Sequence, residues 1–89
     1  MIELRPGYTI LTKEGCKWCT KVKELLPQAH IIACDEFLDR DAFFNEVDVL
    51  TGKEYRMFPM VFFNGQFVGG YRETKYKVDT ELTFDAVYF

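Results

Sequence analysis

Tyr8-Thr9-Ile10-Leu11-Thr12-Lys13-Glu14-Gly15-Cys16-Lys17-Trp18-Cys19 is the stretch on which the fold turns. Its first five residues are β-branched, aromatic or aliphatic. They follow Pro6-Gly7 and run into charged residues and Gly15, which reads as a strand and its exit. From Trp18 the apolar positions are Trp18, Val22, Leu25 and Leu26, spaced i, i+4, i+7, i+8, with Lys17, Lys21, Lys23 and Glu24 on the other side. This predicts an amphipathic helix stopped by Pro27. The Cys-x-x-Cys therefore falls where a strand ends and a helix begins.

That placement carries chemistry. A cysteine at a helix N-terminus meets unpaired backbone N–H groups and the positive end of the macrodipole, which favour thiolate over thiol. Lys13 and Lys17 add positive charge, partly offset by Glu14. A free cysteine of pKa ~8.5 is only a few per cent thiolate at neutral pH, so a lowered pKa makes Cys16 the better attacker. Cys19 lies one turn further on, within reach of a disulfide formed at Cys16 but further from the charge-stabilising terminus. It is the better resolver.

Outward from this unit, His30-Ile31-Ile32-Ala33-Cys34 predicts a short buried strand. Asp39 is placed to cap a helix whose Phe43, Val47 and Leu50 recur at i, i+4, i+7 and which Gly52 ends. Met60-Val61-Phe62-Phe63 and Gln66-Phe67-Val68 flank Asn64-Gly65, the dipeptide suited to a two-residue type I′ turn. Pro59 stands before this hairpin and Gly69-Gly70 closes it. After Gly70, Val78, Leu82 and Val87 form one face of a terminal helix beginning near Asp79 or Thr80. The order βαβα then ββ(α) predicts an α/β fold, a four-stranded mixed sheet flanked by helices.

The 89 residues hold one domain, 1–89. Eleven Lys and Arg against fourteen Asp and Glu give a net charge of −3, the wrong sign for binding nucleic acid through phosphate neutralisation. Nine Phe, five Tyr and one Trp within a 48% hydrophobic chain supply a core without staples. Three cysteines, an odd number, do not make a disulfide-stapled secreted mini-protein. No segment approaches the ~20 apolar residues of a membrane span, and the first residues lack the design of a secretory signal. A cytoplasmic protein with no membrane partner is expected.

Together, Lys13-Glu14-Gly15-Cys16-Lys17-Trp18-Cys19 and Arg56-Met57-Phe58-Pro59-Met60-Val61-Phe62-Phe63-Asn64-Gly65-Gln66-Phe67-Val68-Gly69-Gly70 resemble the glutaredoxin family over roughly residues 8 to 73. The resemblance implies a minimal thioredoxin-like fold and a glutathione-dependent thiol–disulfide oxidoreductase acting on protein disulfides and glutathione mixed disulfides. It implies that Cys16 is the glutathionylated nucleophile and Cys19 its resolving partner. Pro59 would be a cis-proline facing Cys16 and exposing the backbone of Phe58 to the cysteinyl part of glutathione. Lys13 and Arg56 would engage the glycine carboxylate, and the backbone after Gly69-Gly70 the γ-glutamyl end. Trp18 and Tyr71 would stand at the groove. The implied partners are glutathione and disulfide-containing or glutathionylated proteins, with a ribonucleotide reductase as one example, and a monomer is expected.

Three departures from the family pattern stand out. Lys17-Trp18 replaces Pro-Tyr, Met57-Phe58 replaces Thr-Val, and Tyr71-Arg72-Glu73 follows the Gly-Gly pair, so the γ-glutamyl amino group lacks its usual carboxylate unless Glu73 serves. Rival readings are a glutaredoxin-like redoxin reduced by thioredoxin reductase and a [2Fe–2S] binding or transfer module, since family members hold such a cluster through the nucleophilic cysteine and glutathione. The pattern C-x2-C-x10-H-x3-C, with His30 and Cys34, also admits a zinc site. No metal is expected on the main reading, with Cys34 an inert core thiol, His30 a strand-edge residue, and Lys17, Lys21 and Lys23 a solvated helix face.

Overall fold

The computed structural model describes residues 2–88, with side chains through Glu81. Strand β1 spans Tyr8–Thr12, helix α1 Lys17–Leu25, β2 His30–Ala33, α2 Arg40–Thr51, β3 Met60–Phe63, β4 Gln66–Gly69 and α3 Tyr71–Tyr88. The strands form one four-stranded sheet in the order β2-β1-β3-β4. β1 runs parallel to β2 and antiparallel to β3, and β4 pairs antiparallel with β3. This is the mixed sheet expected from the order of elements.

Strand alternation sorts the core into two layers. On one side Ile10 and Val61 pack with Val22 and Leu26 of the α1 region and with Tyr71 and Val78 of α3. On the other, Leu11, Met60 and Phe62 pack with Phe43 and Val47 of α2. Ile10, Leu11, Val22, Val47, Val61 and Phe62 are fully buried, and each such side chain stabilises the fold by roughly 1.5–3 kcal/mol relative to exposure.

Local signals act where expected. The Asp39 carboxylate accepts the Ala42 N–H at 3.0 Å, capping α2, and Gly52 ends it in the left-handed region at φ 75°. Asn64 and Gly65 both have positive φ, 50° and 83°, as the type I′ turn requires. Asn64 also anchors the chain start. Its side-chain oxygen accepts the Gly7 N–H at 2.7 Å, and its own N–H donates to the Gly7 carbonyl at 2.9 Å.

Two boundaries differ from expectation. β2 ends at Ala33, and Cys34 opens a short 3-10 turn, Cys34–Glu36. Ala33 pairs with Thr12, the last residue of β1, so Cys34 has no strand beside it to extend the ladder.

The larger difference is at the C-terminal helix. α3 starts at Tyr71, about two turns before the expected Asp79 or Thr80. Glu73 accepts the Gly70 N–H at 2.8 Å, and Thr74 donates to the Gly70 carbonyl at 3.1 Å, which closes the first turn. Lys75–Asp79 and Lys77–Glu81 ion pairs then brace successive turns. The inward face here is Tyr71, Thr74 and Val78, and a polar threonine in the middle of that stripe hides its period. The side chains of Leu82 and Val87 lie outside the described residues. Among the described residues no helix is long and apolar enough to cross a membrane.

Candidate redox site

Cys16 is the N-cap of α1, held in extended conformation at φ −97° with its sulfur accepting the Cys19 N–H at 3.1 Å. Glycine at position 15, with φ 73°, turns the chain from the strand exit into this cap. Cys16 and Cys19 form a disulfide with their Cα atoms 5.2 Å apart. Cys16 is half-buried whereas Cys19 is 2% exposed, so an incoming thiolate reaches the first sulfur and not the second. The cap hydrogen bond and the helix terminus favour negative charge on Cys16 once the pair is reduced.

A hollow of about 370 Å³ opens over the disulfide, lined by Lys13, Cys16, Lys17, Cys19 and Lys23 among others. Beside it runs a groove of about 750 Å³, walled by Trp18, Met57, Phe58, Pro59, Gly70 and Tyr71, with Tyr55, Arg72, Glu73 and Lys75 completing the lining. The Phe58-Pro59 bond is cis, as the resemblance implied. Trp18 is half exposed, its ring 5.3 Å from that of Tyr71, with the Lys17 and Lys21 ammonium groups 5.8 and 5.7 Å from its centre. These cation–π contacts place positive charge at the mouth of the groove. Lys13 reaches over the Phe58 ring at 5.7 Å, joining the hollow to the groove.

Gly69 and Gly70 have separate steric reasons to be glycine. Gly69 has φ +136°, and a Cβ there would lie 2.8 Å from the Glu73 side chain. Gly70 leaves room for the Tyr55 hydroxyl, which a Cβ would meet at 3.4 Å.

Of the residues singled out from the sequence, Trp18, Phe58, Pro59, Gly70 and Tyr71 share the groove, while Lys13, Cys16 and Cys19 share the adjoining hollow. Gly69 is buried at the end of β4, behind Glu73. Arg56 stands apart. Its guanidinium grips Asp48 at 2.7 and 3.3 Å and lies 4.6 Å from the centre of the Phe44 ring. The hydrogen bond to Arg56 holds the Asp48 carboxyl below the usual carboxylate range.

Tyr55 and Lys75 line the groove without having been found from the sequence. Tyr55 sits in irregular chain between α2 and β3, where no period marks it. It packs edge-on against Phe67 at 4.8 Å, and burial, then the charge of Glu73, push its hydroxyl pKa up. Lys75 was masked by the missed start of α3. Cys34 is a free, buried thiol in the Phe43–Phe62 layer, its pKa pushed up by burial and next by Asp35. Among the described residues no three of His, Cys, Asp or Glu converge as a metal site would require, so the zinc pattern read through His30 and Cys34 does not assemble.

A disulfide at a helix cap, its first cysteine half-buried in a hollow beside an aromatic groove with a cis-proline on its wall, defines a thiol–disulfide oxidoreductase of thioredoxin-like fold. The model of the glutaredoxin family matches residues 8–68, and the chain belongs to that family. Among solved structures it is similar to the buckwheat glutaredoxin–glutathione complex, with 27% identity, TM-score 0.70, and 83% of this chain and 69% of that chain covered. It is also similar to the holo form of glutaredoxin C1 from Populus tremula x tremuloides, with 25% identity, TM-score 0.69, and coverage of 84% and 76%. Glutaredoxin 1 from Francisella tularensis, complexed with cacodylate, shares the fold at 22% identity and TM-score 0.71, over 86% of this chain and 96% of that one. No curated protein sequence matches this chain.

Proposed function

We propose that this protein is a dithiol glutaredoxin that reduces protein disulfides and glutathione mixed disulfides at the expense of glutathione, acting as a cytoplasmic monomer of one domain. The observation that carries the reading is the half-buried Cys16 at the helix cap, paired with a buried Cys19 beside the groove of Trp18, Phe58, cis-Pro59 and Tyr71. A similar structure, from buckwheat, is a complex with glutathione.

On a mixed disulfide, the Cys16 thiolate attacks the glutathione sulfur. A Cys16–glutathione bond forms, the bond to the protein sulfur breaks, and the departing thiolate takes a proton. A second glutathione thiolate then attacks that same glutathione sulfur, releasing glutathione disulfide and restoring the Cys16 thiolate. On a protein disulfide, Cys16 attacks first and Cys19 displaces the substrate thiolate, leaving the Cys16–Cys19 disulfide that two glutathione molecules reduce. Lys13 and the lysines around Trp18 supply the positive charge an anionic tripeptide needs, and the Phe58 backbone supplies its extended pairing.

The test is disulfide reduction with the electron donor as the variable. Turnover of a glutathionylated peptide with glutathione and glutathione reductase is expected, with little turnover on thioredoxin reductase. Turnover on thioredoxin reductase alone would overturn the reading in favour of a redoxin outside glutathione chemistry.

A further inference from the structure

Tyr55, Met57 and Phe58 line the groove beside the disulfide, yet the chain that carries them is neither helix nor strand. Backbone pairing holds it weakly. Among the described residues, the one backbone–backbone hydrogen bond of residues 54–58 runs from the Tyr55 N–H to the Lys53 carbonyl. Met57 is 70% exposed and does not fix its own place by packing. Arg56 stands between these wall residues but is turned off the wall, onto α2. Its guanidinium is held there by three groups at once. The Asp48 carboxylate accepts from it at 2.7 and 3.3 Å, the Tyr55 carbonyl accepts at 2.9 Å, and the centre of the Phe44 ring is 4.6 Å from the guanidinium carbon.

Phe44 and Asp48 are four residues apart on α2, so one face of that helix presents the ring and the carboxylate together. A guanidinium that is both stacked and bidentate keeps a single geometry. The contacts then continue inward. Phe44 meets the Phe58 ring edge-on at 6.5 Å, and the Lys13 ammonium, at the rim of the hollow over the disulfide, is 5.7 Å from the centre of that same Phe58 ring. Arg56 is thus linked to the site through Phe44 and Phe58, with its own charge already met by Asp48.

We propose that Arg56 is a positioning residue: pinned to α2 by Asp48 and Phe44, it sets the segment whose Tyr55, Met57 and Phe58 wall the groove, and with it the place of Phe58 against Lys13. The proposal rests on the reading of the groove as the site of a glutathionylated substrate. It gives Arg56 no contact with that substrate.

The experiment follows turnover of two peptides by the full chain, one carrying a glutathionyl group and the other its glycine ethyl ester, with glutathione as donor. The proteins are the wild type, Arg56→Gln, Phe44→Leu and the double variant, at a temperature where circular dichroism shows all four folded. Arg56→Gln is expected to raise KM for both peptides about fivefold and to change kcat less than about twofold, since the attacking sulfur is untouched. Phe44→Leu should have a similar effect, and the double variant no more than either single one, because all three cut the same chain of contacts. Reduction of the Cys16–Cys19 disulfide by dithiothreitol, which needs no groove wall, should stay within about twofold in every variant. A rise in KM confined to the free-acid peptide would put Arg56 on the glycine carboxylate and overturn the proposal. An unchanged KM, or losses that multiply in the double variant, would overturn it too. A wild type that dithiothreitol reduces readily but that turns over neither peptide would overturn the glutathione reading itself, a separate and recognisable outcome.

Discussion

Trp18 and Tyr71 lie ring against ring, centroids 5.3 Å apart, and so tie the start of the helix that carries the disulfide to the start of the helix that follows Gly69-Gly70. Each of those helix starts bears part of the site. Trp18→Ala removes both the pair and a groove wall, and aromatic pairs are worth about 0.5–1.5 kcal/mol beyond their burial. The variant is expected to lose about 1 kcal/mol of stability in urea unfolding. Its KM for a glutathionylated peptide should rise several-fold with kcat little changed, because the attacking sulfur is untouched.

Thr74 is fully buried in the face of α3 that meets the sheet, and its hydroxyl has no hydrogen-bond partner among the described residues. Valine has nearly the same shape and no polar group to desolvate. Thr74→Val is therefore expected to raise stability by about 1 kcal/mol, read as a higher urea midpoint at unchanged m-value. A lower midpoint would mean that the hydroxyl is satisfied.

Gly69→Ala meets two obstacles, a φ of +136° and a Glu73 side chain 2.8 Å from the new Cβ. Displacing Glu73 also frees the Gly70 N–H that it caps. A loss of about 1–3 kcal/mol is expected. Gly70→Ala, whose nearest contact would be the Tyr55 hydroxyl at 3.4 Å, should cost less.

The Asp48–Arg56 pair gives a pH signature. Its hydrogen bond lowers the Asp48 pKa in the folded state, so the associated stability is present above the unfolded-state value of ~3.9 and is lost as pH falls through the folded one. Asp48→Asn should lower the denaturation midpoint slightly at pH 7, by the small amount typical of an exposed pair. The difference between variant and wild type should shrink towards zero as pH falls through the lowered Asp48 value of the folded state.

Much of this arrangement was legible in the residues because local signals and tertiary structure agree. Tyr8–Thr12 running through Gly15 into Cys16, Asp39 and Gly52 around α2, and Asn64-Gly65 between two strands each carry their own reason in their side chains or backbone freedom. What was not legible depended on partners distant in chain or hidden in pattern. Thr74 interrupts the apolar stripe of α3, so the helix start disappeared from the periodicity although Glu73 caps it. Arg56 matches a family position, yet only the folded chain reveals that Phe44 and Asp48, four residues apart on α2, are delivered to it. Tyr55, in irregular chain, owes its place on the groove to Phe67 and Gly70.

The most direct test of the account is to trap the nucleophile. Cys19→Ser protein, reduced and then exposed to glutathione disulfide, should take up a single glutathione located on Cys16 by mass spectrometry of its peptides. Fresh glutathione should release it. Cys34, buried and with its pKa pushed up by burial, should stay unmodified. Glutathione found on Cys34, or no adduct at Cys16, would contradict the account.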